Sequence, residues 1–105
     1  MSKVSMMTDP SWQLVRTGEI MGTLTRDAVD MFWTDCMFEP GPVWPALQPL
    51  FTASRKAWQR GDSRAAAEAD EAIQAQGLVL VPTDGGPPLR EFLIRINGDK
   101  ARFRY

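Results

Sequence analysis

Along residues 11–25, "SWQLVRTGEIMGTLT", apolar positions come in two short runs separated by Thr17-Gly18. A small residue plus glycine between such runs predicts a hairpin, because glycine accepts the positive φ of a tight turn. Alternation in the second run puts Ile20, Gly22 and Leu24 on one face and Met21, Thr23 and Thr25 on the other. Gly22 leaves a notch, and the ring of Trp12 is large enough to fill it. "RDAVD", residues 26–30, is polar and reads as a short turn. Residues 31–38 then read as a strand that is apolar on both sides. Phe32, Thr34, Cys36 and Phe38 point to the core, while Met31, Trp33, Asp35 and Met37 point away. Such a strand is central and covered twice, or its second face meets a partner chain.

The period changes after Pro40. Val43, Leu47, Leu50, Phe51, Ser54, Ala57 and Trp58 recur at helical spacing. Pro45 and Pro49 are tolerated only in a first turn, which predicts a helix over 46–60. A second helix is predicted over 63–76, with Asp62 as N-cap and Gly77 as left-handed C-terminal cap. Its inner face, Ala66, Ala69 and Ile73, is small. "LVLVP" reads as a short strand and "TDGGPP" as a loop. "LREFLIRINGDKARFRY" predicts a closing hairpin around Asn97-Gly98, with strands at 89–96 and 99–104. A loop of two or four residues sends Phe92, Ile94, Ile96, Ala101, Phe103 and Tyr105 inward and leaves Arg95, Lys100, Arg102 and Arg104 outside.

The predicted order is strand, strand, strand, helix, helix, strand, strand, strand. Segregated strands and helices predict an α+β fold: an antiparallel sheet of five to six strands with two helices packed on one face. One domain spans 11–105 after a disordered tail at 1–10.

Composition narrows the chemistry more than it changes the fold. The 105 residues carry 12 basic and 13 acidic side chains, a net charge of -1, which argues against a nucleic-acid binder driven by bulk charge. No run approaches a membrane span, and a single cysteine allows no internal disulfide, so the chain reads as cytoplasmic. The absence of histidine removes Ser-His-Asp triads, Cys-His pairs and histidine-based metal sites. No metal or cofactor is expected. Arginine-rich, lysine-poor usage suggests a bacterial source.

Three groups remain as candidates. Asp30, Asp35 and Glu39 could serve as acid and base, with Asp35 the best placed among Trp33 and Met37; pairing with an arginine is the structural alternative. Trp33, Trp44 and Trp58 could line an apolar pocket, or simply build the core. Arg95, Lys100, Arg102 and Arg104 could meet phosphates, or form a solvated face with a Glu91–Arg104 cross-strand pair. Single-strand nucleic-acid readers interleave aromatics with such cations, whereas this hairpin puts its aromatics on the opposite face. Cys36 lacks a base and reads as a buried core thiol.

The segments "WQLV..GEIMGTLT", "DMFWTDCMFEP", "P.LQPLF" and "FLIRINGDKARFRY" together resemble small uncharacterised bacterial stand-alone domains. Those have an Asp-aromatic-Pro-Trp segment and a "LHIDG..A.FR"-like end. The chain departs from them at Met31-Phe32, where they have Phe-Pro, and at Arg95, where they have histidine. The resemblance implies no catalytic residue.

The first functional expectation is an interaction module, a homo-oligomer or a binder of a protein partner, using a sheet face around Met31, Trp33, Asp35, Met37, Arg95 and Arg102. The alternative is a small-ligand-binding domain with an apolar pocket near Trp33, Trp44 and Trp58, where Asp35 or Arg102 fixes the ligand. A carboxylate-based enzyme is the remote third.

Overall fold

The computed structural model describes residues 9–105; the first eight residues of the expected tail lie outside the described residues. Six antiparallel strands and two α-helices follow in the order the patterning predicts, three strands, two helices and three strands, giving an α+β fold. The strands are β1 (Ser11–Arg16), β2 (Glu19–Asp30), β3 (Trp33–Pro40), β4 (Val79–Pro82), β5 (Leu93–Asn97) and β6 (Lys100–Arg104). The helices are α1 (Gln48–Gln59) and α2 (Ser63–Gln74). The sheet order is β4-β1-β2-β3-β6-β5. It curls until its two ends nearly meet: Leu80 of β4 and Leu89, just ahead of β5, exchange backbone hydrogen bonds of 2.9 and 2.8 Å. No helix of the described residues is long and apolar enough to cross a membrane.

The first hairpin turns where expected. Thr17 (φ 51) and Gly18 (φ 80) are both left-handed, as a type I′ turn requires. The alternation expected for β2 fails at one residue. Leu14 pairs with Gly22 and Val15 with Ile20, so Met21 is an extra residue in a β-bulge. The bulge turns Met21 fully inward and leaves Ile20 45% exposed. The notch at Gly22 is filled by Phe38, not by Trp12: a Cβ built on Gly22 would lie 2.5 Å from the Phe38 ring. Trp12 packs edge-on against Phe103 instead.

Residues 26–30 are not a turn. They continue β2 as an exposed arm paired with β3 through Asp30↔Trp33. The reversal falls at Met31-Phe32, with Met31 in the left-handed region (φ 57). Phe32, expected in the core, therefore sits at a hairpin tip and is 75% exposed. Cys36 and Phe38 are buried as their alternation demands.

Helix α1 begins two residues later than the periodicity suggests. The ring of a helical Pro49 would clash with the carbonyl four residues back, so the chain makes a 3-10 turn at Trp44–Ala46 first. Asp62 caps α2, its carboxylate accepting from the Ala65 N–H at 3.0 Å. Gly77 takes positive φ, two residues beyond the cap at Ala75. In the closing hairpin the two turn residues are Gly98 and Asp99, one position later than expected, so Ile94 faces Phe103 and Ile96 faces Ala101. That shift preserves the inner face but sets Leu93, not Glu91, opposite Arg104. Tyr105, expected inward, is 80% exposed. Strand residues Leu24, Phe38, Ile94 and Phe103 share one apolar cluster with Leu47, Phe51 and Ile73 from the helical half.

Candidate functional site

Register brings the chemistry together. Asp35 pairs with Arg102 across β3–β6, and Arg102 with Arg95 across β6–β5. Alternation puts Trp33 and Arg104 on that same face. The result is an indole crowded by three cations. The guanidinium carbons of Arg102, Arg95 and Arg104 lie 4.9, 5.1 and 5.5 Å from the Trp33 ring centroid. Each such contact is worth about 0.5–1 kcal/mol at a partly exposed site. The expectation that aromatics and cations would lie on opposite faces held for the closing hairpin alone. The neighbouring strand β3 supplies the aromatic.

Carboxylates hold the like charges together. Arg102 donates from Nε to Asp35 at 2.9 Å and faces Asp30 at 3.6 Å. Arg95 is held less tightly. Its Nη2 meets Asp70 of α2 at 3.5 Å, and its buried Nε–H meets no acceptor. Asp70 is itself shared, since its other oxygen accepts from the buried Ser54 hydroxyl of α1 at 3.1 Å. Arg95 also lies 4.7 Å from the Trp58 centroid, so its guanidinium contacts two indoles.

A cavity of about 570 Å³ opens beside this cluster, between α1 and the strands β3, β6 and β5. Phe51, Trp58, Cys36, Ile96 and Ala101 give it apolar walls. Its basic lining residues are Arg55, Arg95, Lys100 and Arg102, against Asp27 and Asp35. Asp27 reaches it through a second bulge: Arg26 pairs with Cys36 and Ala28 with Asp35, which makes Asp27 the extra residue. Another cavity, about 650 Å³, lies beyond Arg95, lined by Phe32, Ile73, Phe92, Leu93, Arg90 and Arg104.

Five of the residues expected at a site, Trp33, Asp35, Trp58, Arg95 and Arg102, do converge. Three do not. Trp44 is 6% exposed and packs edge-on against Phe38 in the core. Met31 is at the hairpin tip, 82% exposed. Met37 is part-exposed, its sulfur 3.7 Å from the Lys100 ammonium. Asp70, Ser54, Arg55 and Asp27 were not legible as site residues: the first three are brought in by helix packing, and Asp27 only by the bulge.

Burial, and then the neighbouring Asp35 carboxylate, push the Cys36 thiol up to about 12, so it is protonated at neutral pH. Asp30 and Asp35 are both committed to Arg102. Compared with known proteins, the chain matches no family model, no curated protein and no solved structure.

Proposed function

We propose that this chain is a small-ligand-binding domain whose ligand sits in the cavity between α1 and β3–β6–β5. The observation that carries the reading is an apolar-walled cavity of about 570 Å³ with ordered polar groups at its margin. That size and lining suit a compact organic molecule. Trp58, 48% exposed on α1, stands at the margin as a stacking surface. A fragment screen followed by two-dimensional amide NMR tests it. Bound fragments should perturb Phe51, Trp58 and Ala101 together, and Trp58→Ala should weaken them. Perturbations that avoid these residues, or no binding at all, would sink the reading.

Attachment to a protein partner is the second reading. Its support is the hairpin tip, where Val29, Met31 and Phe32 are 61, 82 and 75% exposed. The sheet face first expected to need a partner carries its own cover, the arginines over Trp33. Sedimentation of the parent and of Phe32→Ser at micromolar concentration distinguishes self-association through the tip from a monomer.

A further inference from the structure

We infer that the ligand of this cavity is a monoanion, an apolar body bearing one carboxylate, and that Arg95 is the group that selects its charge. The inference rests on the ligand-binding reading and adds a chemical class to it. Four basic side chains line the cavity against two acidic ones, Asp27 and Asp35. The surplus is not spread evenly. Arg102 is compensated by two carboxylates, at 2.9 and 3.6 Å. Among the described residues, Arg55 and Lys100 lie within ion-pair distance of no carboxylate. Arg95 has one partner at 3.5 Å, and that partner also accepts from Ser54.

The geometry at Arg95 favours recognition over mere charge. Indoles at 5.1 and 4.7 Å contact the guanidinium and Asp70 meets it at 3.5 Å, restraining it before a ligand arrives. A preorganised fork loses less entropy on gripping a carboxylate than a free lysine would. Its Nε–H is buried without an acceptor, a donor whose desolvation is not compensated within the chain. The apolar walls decide between anions. A monoanionic carboxylate on an apolar body is far less costly to desolvate there than a phosphate dianion. Asp27 and Asp35 oppose any anion beside them, so a bound carboxylate is favoured against the less compensated cations, Arg95 and Arg55.

Isothermal titration with three probes of one shape tests this: 1-naphthoate, 1-naphthamide and 1-naphthylmethylammonium. In low salt the parent should bind the naphthoate about tenfold more tightly than the naphthamide, the equivalent of one charge-assisted hydrogen bond. The ammonium should bind most weakly. The naphthoate preference should shrink as salt is raised, and fall to within about twofold in Arg95→Gln if that bond is lost. Arg55→Gln, a change at a half-exposed helix position, should lower it by a smaller factor and decides the matter if Arg95→Gln fails to fold by circular dichroism. Equal binding of all three probes overturns the anion class and leaves the ligand-binding reading standing. Binding by none overturns both. A preference that survives in both variants overturns the assignment to these arginines.

Discussion

Gly22→Ala is expected to cost more than any other single-methyl addition in the sheet. The added Cβ would stand 2.5 Å from Cε1 and Cζ of Phe38 and 2.9 Å from the Glu39 carbonyl oxygen. Carbon atoms in contact prefer about 3.5–4.0 Å, so the ring must retreat by about an ångström. It has nowhere to go. Phe38 is 3% exposed and lies against Trp44 at 4.7 Å. The carbonyl belongs to backbone fixed by the Thr23↔Glu39 register. Overpacking of this kind costs about 1–3 kcal/mol. Alanine recovers about 0.5–1 kcal/mol through its lower unfolded-state entropy, leaving a net loss of about 1–1.5 kcal/mol. Phe38→Leu deletes the clashing ring atoms and should itself cost about 1–2 kcal/mol. The double variant should then be less destabilised than the sum of the two, by about 1 kcal/mol or more. Urea unfolding followed by tryptophan fluorescence measures all three. Additive effects, or a Gly22→Ala loss below about 0.5 kcal/mol, would show that the ring does not fill the notch.

Burial of the Cys36 thiol, with a pKa near 12 against 9.0 for the free group, means the folded chain keeps a proton that the unfolded chain releases. The parent should therefore lose stability as pH climbs from about 9 toward 12, by roughly 1 kcal/mol at pH 10 relative to Cys36→Ala; parallel unfolding curves for the pair would contradict that. Phe103→Ala removes a side chain with no exposed surface and should cost about 3–5 kcal/mol in thermal or urea unfolding, whereas a Phe103 outside the core would cost far less. Asp62→Ala should lose about 1 kcal/mol through the Ala65 N–H it leaves unpaired, and Asp62→Asn, which can cap equally well, should recover most of it.

What the sequence made legible were features with a local cause. Alternation across β6 and β5 placed Phe103, Ile94 and Ile96 inside for any even-numbered loop, because a register shift of two residues preserves parity. Asp62 was readable because capping needs only residues within one turn. The outer half of β2 was not, because from Thr25 to Asp30 every residue is exposed. An arm with no buried face has no alternation to read. Phe32 looked like core for the converse reason: a hairpin tip leaves no apolar signature. The bulge at Met21 inverted a parity that sequence treats as unbroken. The site was half legible. Strand register could group Asp35, Arg102 and Arg95, but the carboxylate and hydroxyl that steady Arg95 come from two helices whose approach to β5 is a tertiary fact.

The arginine face resolves a tension between composition and fold. A near-neutral chain that crowds three guanidiniums around one indole spends repulsion that Asp30, Asp35 and Asp70 must offset. Covering Trp33 alone would not require arginine, since an aliphatic neighbour would bury the ring without the charge. Arginine does what an aliphatic side chain cannot: its flat cation lies on the ring and still presents N–H groups at its edge. The offset is uneven, complete at Arg102 and loose at Arg95, and Arg95 is the cation that lines both cavities. A face built only for solubility would scatter its charges and would not set one of them against both Trp33 and Trp58. The physical content of the site is therefore an under-compensated guanidinium beside an apolar wall, the arrangement on which the proposed carboxylate ligand depends.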